Sequence, residues 1–231
     1  MELGHNPAAT KAAATFARGM AEKPRVKAPK QRSTPKREGA ARKRRTLLVA
    51  VVTLAGFGGG TTDARAALKT AGCTLQIAPG GTPSHSILDP NGRSKKWNTF
   101  PPTSGPHYRE PAIFGAWSEP LQQARVVHNL EHGGVFIQYG SKVPQSTIAE
   151  LQAFYDKHKP GTLLSPLPGL GNKVALGAWV HTNEDLAKGT NGHGYLAKCT
   201  RFDEAAFAAF LHSYQFKGSH VNNPSLMLPG E

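Results

Sequence analysis

The sequence predicts an α+β domain: a small mixed or antiparallel sheet with helices on one face and a long proline-rich loop, behind an N-terminal membrane anchor. Three observations lead there. From Val135 onward the hydrophobic periodicity changes in the order β-α-β-β-α, which suits a sheet carrying helices. Pro101, Pro102 and Pro106 fall within six residues, so that segment is neither helix interior nor central strand. An uncharged run over residues 46–62 directly follows Arg42-Lys43-Arg44-Arg45.

Charge divides the chain. The formal net charge is +13, and residues 1–45 hold +10 of it, with thirteen Lys/Arg against Glu2, Glu22 and Glu38. Residues 1–45 read as a disordered basic tail on the cytoplasmic side. The rest of the chain is nearly balanced, without the basic face that specific nucleic-acid binding by a domain requires. Basic residues stay cytoplasmic, so the chain beyond the apolar run is expected outside the membrane. The run sits at the short end of the roughly 17–25 residues of a membrane span. A single-pass cell-membrane anchor is the favoured reading, with the membrane as partner. A signal peptide cleaved near Ala64-Arg65-Ala66, giving a secreted protein, is the rival. Met20 as the true start would shorten the tail. Residues 63–70 are expected as linker, with a short helix from Ala64 to Lys69, and 71–231 as the exported domain.

Two cysteines in an exported chain predict a disulfide between Cys73 and Cys199. Pro79-Gly80-Gly81-Thr82-Pro83 is a turn region, with His85 just after it. Pro101-Pro102-Thr103-Ser104-Gly105-Pro106-His107-Tyr108 is an extended ordered loop that presents His107 stiffly. Pro111, Gly115 and Pro120 continue it, with Phe114 and Trp117 as anchors into the core.

The densest chemistry lies in Val126-Val127-His128-Asn129-Leu130-Glu131-His132-Gly133-Gly134-Val135. On a helix, His128, Glu131 and His132 share a face and spell H-x-x-E-H, the inverted zinc-protease signature. Gly133-Gly134 and the strand formers after it favour an extended reading instead, with His128 and His132 on one side and Glu131 on the other. Either way two imidazoles converge. The bland alternative is a pair of packed, hydrogen-bonded histidines.

Beyond Tyr139, Thr147 and Glu150 spell a capping box ahead of a helical stripe of Ile148, Leu151, Phe154 and Tyr155. Residues 162–165 and 173–181 are strands, and a glycine-rich loop holds His193. Asp203 caps a last helix bearing Phe207, Phe210, Leu211 and Tyr214, with Phe202 and Phe207 placed as a hydrophobic staple.

The 101–108 motif followed by Val127-His-Asn-Leu-Glu-His-Gly-Gly-Val135 resembles the bacterial family of domain of unknown function 3105, whose members usually sit behind a membrane anchor. The resemblance spans roughly residues 70 to 220, taking in Cys73, His85 and Cys199. It implies that His85, His107, His128, Glu131 and His132 belong to one pattern, and it implies no activity.

Three functions are consistent with these residues. The first is a membrane-tethered extracytoplasmic domain with a transition metal (zinc, copper or iron) held by His107, His128, His132 and His85, and with Glu131 beside it. The second is a cell-envelope interaction or structural module in which the histidines only satisfy backbone groups. The third is a zinc hydrolase with Glu131 as its catalytic base. A Ser-His-Asp elbow, a phosphate-binding loop and a dinucleotide fingerprint are all missing from the sequence.

Overall fold

In the computed structural model, residues 63–85, 97–220 and 223–230 are described. The basic tail and the 46–62 run expected as an anchor lie outside them. Among the described residues no helix is long and apolar enough to cross a membrane.

Six strands form one mixed sheet: β1 (Thr74–Pro79), β2 (Gly115–Ala116), β3 (Val135–Tyr139), β4 (Thr162–Pro166), β5 (Val174–Val180) and β6 (His193–Cys199). The order across the sheet is β1-β6-β5-β3-β4-β2. The β1, β6, β5 and β3 pairings are antiparallel, and β4 runs parallel to both β3 and β2. Among the described residues five α-helices accompany them: α1 (Ala64–Thr70), α2 (Gln123–Glu131), α3 (Gln145–Lys157), α4 (Asn183–Lys188) and α5 (Glu204–Tyr214).

Strand alternation splits the core into two layers. Val135, Ile137, Leu176 and Ala197 pack with Leu68 of α1, Leu151 and Phe154 of α3, and Phe207 and Phe210 of α5. Phe136, Leu163, Trp179 and Leu196 face the other way, onto Val126, Val127 and Leu130 of α2. Helices therefore cover both faces, where one face was expected. The second apolar face includes Trp179, which is wholly buried, and α2, together with Phe114, Leu170 and Met227, packs in the same layer. Gly177 makes room on this face, since a Cβ there would lie 2.2 Å from the Phe136 ring.

Several elements differ from the sequence reading. The glycine-rich loop around His193 is β6, because its Gly194 faces the proline loop: a Cβ there would meet the Thr103 hydroxyl at 2.2 Å. Ala64–Thr70 form α1, capped by Asp63, with Ala64 and Leu68 buried in the core, so most of the stretch expected as linker is packed helix. Helix α3 starts at Gln145 behind Pro144, with no side-chain cap, so the Thr147–Glu150 capping box does not form. The helix starts three residues earlier, with Pro144 at the N-cap position in place of Thr147. Asp203 does cap α5, accepting from Ala206 N at 3.0 Å, and the Phe202 and Phe207 rings lie 5.1 Å apart. Phe114 is buried as expected, whereas Trp117 is 37% exposed and its indole N–H donates to Ile113 O.

The Cys73–Cys199 disulfide is present. It joins the residue before β1 to the end of β6, one step beyond the Thr74–Lys198 pair. Closing a loop of 126 residues stabilises the fold by about 5 kcal/mol on the chain-entropy model, an upper figure. The denatured, non-reduced chain should therefore titrate with no free thiol. The C73A/C199A variant should melt well below the parent, by roughly ten degrees or more for a domain of this size. Two reactive thiols per parent chain would contradict the bridge.

Candidate metal centre

The proline run is not a surface wrap. Residues 101–107 are all buried, packed over the α2 face of the sheet. Short polar bonds hold it: Gly81 N donates to the Ser104 side-chain hydroxyl at 2.8 Å, and two of its backbone groups are met by His107 N donating to Ser84 O at 2.9 Å and the Trp97 indole donating to Pro106 O at 2.8 Å. The same contacts carry His85, next to Ser84, to within 4.9 Å of the His107 ring, centroid to centroid.

His128, Glu131 and His132 sit at the C-terminal end of α2, so the extended reading of this stretch is corrected. The glycines taken as evidence against a helix are its stop signal. Gly133, at φ +85°, donates to Leu130 O, and Gly134 donates to Asn129 O at 2.8 Å. This is the six-to-one and five-to-two pattern with which a left-handed glycine closes a helix. Burial of Val126, Val127 and Leu130 outweighs the β preference of the valines. The Asn129 amide holds the helix against the preceding loop, accepting from Ala112 N at 2.9 Å and donating to Ala112 O at 2.8 Å.

The imidazoles come together as two overlapping groups. His85, His107 and His128 offer ligand atoms within 4.8 Å of one another, and so do His128, Glu131 and His132. Nδ1 of His107 lies 2.8 Å from Gly105 O, and Nδ1 of His128 lies 2.7 Å from Tyr108 O. A carbonyl only accepts, so in both rings Nδ1 carries the hydrogen and the Nε2 lone pair is left facing the cluster. The Nε2 atoms of His128 and His132 are 3.0 Å apart. His107 Nε2 and Glu131 Oε2 are 3.1 Å apart and both buried, yet the pair is too poorly aligned for a hydrogen bond, and neither atom has such a partner among the described residues. Buried polar atoms are nearly always satisfied, so this pair calls for an explanation.

One participant was not foreseen. His220 Nδ1 lies 3.7 Å from Glu131 Oε2, and its ring stacks 4.9 Å from His132. Gly218 makes that possible, because a Cβ there would meet Glu131 O at 2.1 Å and Gly133 N at 2.3 Å. Gly218-Ser219-His220 carries no local pattern that marks it. His181, noted in sequence only as a strand end, is buried behind the cluster against Trp179, with its Nδ1 lacking a hydrogen-bond partner among the described residues.

Burial favours the neutral form of the His128 and His132 rings. Burial pushes the His128 ring below its ordinary value of 6.5, and charge on His107 or His132 would push the same way. The Tyr108 bond and Glu131 oppose this without reversing it. His132 is lowered for the same leading reason, burial, reinforced by His220. Burial by itself would raise the Glu131 carboxyl, but contact with His107 and the charges of His107, His220 and His128 bring it below 4.5.

These directions fix a pH dependence for the metal-free protein. With folded values below 6.5, His128 and His132 bind more protons unfolded, so stability is lost as pH falls below about 6.5. The Glu131 contribution is present above 4.5 and is lost as pH falls through its lower folded value. In chelator, the melting temperature should drop from pH 7.5 to 5.5, and H128Q/H132Q should flatten that slope. An equally steep slope in the double variant would place the titration elsewhere.

No curated protein and no solved structure matches the chain. A family match covers His107, His128, Glu131, His132 and His220 and begins after Cys73 and His85. That match, to the model described as "Protein of unknown function (DUF3105)", spans residues 90–225, more than half of the sequence, and the chain belongs to this family.

Proposed function

We propose that this chain is a membrane-tethered, extracytoplasmic domain that binds one transition-metal ion through His107, His128 and His132, with His85 as a further ligand and Glu131 balancing charge. The observation that carries the reading is the pair of buried atoms, His107 Nε2 and Glu131 Oε2, left without hydrogen-bond partners among the described residues, beside the 3.0 Å contact of two other Nε2 atoms. Ligands about 2.0–2.1 Å from one tetrahedral ion lie roughly 3.3 Å apart, near that spacing. In a module whose histidines merely satisfy backbone groups, the Nδ1 bonds to Gly105 and Tyr108 would suffice, and nothing would require four Nε2-bearing rings to converge. His128 has a single free nitrogen and belongs to both groups, so the two groups cannot each hold an ion through it, and a single ion taking both His107 and His132 draws those two rings together around His128. The C-terminal end of α2 favours a cation, and imidazole with a carboxylate suits zinc, copper or iron alike. A bound cation would supply Lewis acidity or a structural crosslink.

The zinc-hydrolase reading gains one observation, that α2 places H-x-x-E-H on a single helix face. Against it, Glu131 is 3% exposed and held between His107 and His220, away from a position where it could activate water freely. Chelator-sensitive cleavage of a peptide or ester by the wild type, lost in Glu131→Gln, would favour it.

Isothermal titration of the full chain with Zn2+ or Co2+ should give about one equivalent. H128A should weaken binding by at least ~100-fold and H85A by about tenfold, with far-ultraviolet circular dichroism unchanged. Retention of full affinity by H128A would defeat the assignment.

Tethering and export rest on the basic cluster at Arg42–Arg45 ahead of the uncharged run, and on the disulfide, which persists in oxidising compartments. Ala64 is buried in α1, so cleavage at Ala64-Arg65-Ala66 would cut into the packed helix, which favours an uncleaved anchor. Alkaline phosphatase fused after Glu231 should be active. An inactive fusion, with an active cytoplasmic reporter at the same position, would reverse the topology.

A further inference from the structure

A cavity of about 250 Å³ opens beside the histidine cluster, and His132 lines both. Its other walls are Pro111 and Phe114 on one side and Leu226 and Met227 on the other. Two asparagines complete the lining, and the amide of Asn129 and the Oδ1 of Asn223 are committed to the walls. Asn129 bonds the Ala112 backbone in both directions, and Asn223 Oδ1 accepts from Ser225 N and Oγ. Among the described residues no charged side chain lines the cavity, and His132 is the one lining group that also belongs to the histidine cluster. The walls are pinned from outside: Gly230 N donates to Phe114 O at 3.0 Å, and Gly161 N to Met227 O at 2.8 Å. The mouth is open, because Leu226 is 69% exposed.

The geometry points to a binding subsite for a ring-sized, uncharged apolar group whose donor atom, nitrogen or oxygen, is directed at the ion held by His132 and its neighbours. The inference rests on the metal-binding reading above. Size decides the occupant. A dry apolar cavity of about 150 Å³ accepts benzene, and drug-sized pockets start near 300 Å³, so this one takes a single aromatic or branched aliphatic group. Composition decides its chemistry: a charged or strongly polar group would lose its hydration without a partner. One end wet and cationic, the other apolar and preformed, is the arrangement of a site that orients a small ligand by its head and selects it by its body.

Imidazole and 4-phenylimidazole test this, titrated calorimetrically into the full chain, both metal-free and loaded with Co2+, with the visible cobalt spectrum followed in parallel. The loaded protein should bind 4-phenylimidazole at least ~10-fold more tightly than imidazole, with a spectral shift for both. Leu226→Asp, at an exposed position that spares the core, should cut that ratio to about threefold or less while Co2+ affinity is unchanged. Equal affinity for the two probes in both protein forms overturns the subsite, and so does an unreduced ratio in Leu226→Asp. If the chain takes up no cobalt, the metal reading fails by itself. The subsite then stands or falls on the metal-free titration, where a preference for the phenyl probe removed by Leu226→Asp upholds it and no preference overturns it.

Discussion

Two hydrogen bonds organise the site: His107 Nδ1 to Gly105 O and His128 Nδ1 to Tyr108 O. Both acceptors belong to the proline-rich segment, so one stretch of backbone sets the tautomer and direction of two rings from different parts of the chain. Each bond leaves a lone pair on Nε2 facing inward. Were the hydrogens on the other nitrogens, the same rings would present N–H groups to one another and to His132. The carbonyls are available because prolines at 101, 102 and 106 keep the segment extended and out of any ladder. Its remaining polar groups are met by residues 81–84 and 97–99.

The scaffold tolerates this buried polar cluster because it is built at the edge of a second apolar layer and not inside the main one. Phe136, Trp179 and Leu196 cover the sheet beneath it, and the Asn129 amide and the closing glycines hold the end of α2 in place. Nearby imidazoles resist joint protonation, and burial pushes His128 and His132 the same way. The one carboxylate, Glu131, is held ionised by the surrounding rings. A cluster rich in imidazole nitrogens with a single carboxylate is the donor set of a candidate cation site. On the opposite face, the disulfide and α1 tie the edge strand β1 to the α5 layer, remote from the chemistry.

Much of the frame was legible in the residues. The apolar run from Val135, the alternation over 173–181 and the Asp203-capped stripe of aromatics each follow a local rule, and each rule agrees with the packing found. The cysteine pair was legible by elimination, because only two thiols exist. Helix α2 was not, because its valines favour a strand and its buried face packs with Trp179 and Leu196, contributed from distant sequence. Strand β6 was masked by Gly192 and Gly194, glycines demanded by neighbours on other segments: Val180 and His181 in one case, Asn98 and Thr103 in the other. The entry of His220 depends on Gly218 lying against α2, which no local pattern encodes.

The sequence by itself determined the inventory: which side chains can carry lone pairs, where stiffness and termination lie, and which segments must be buried. Those are properties of residues and near neighbours, where spacing and composition carry the physics. Only the tertiary structure decided that His85, His107, His128, Glu131 and His132 share one space, which tautomers two of the rings adopt, and that an apolar cavity adjoins them. Each of those depends on backbone carbonyls and side chains brought together from separate segments, and such closures are set by packing of the whole sheet and its two layers, which local spacing does not contain.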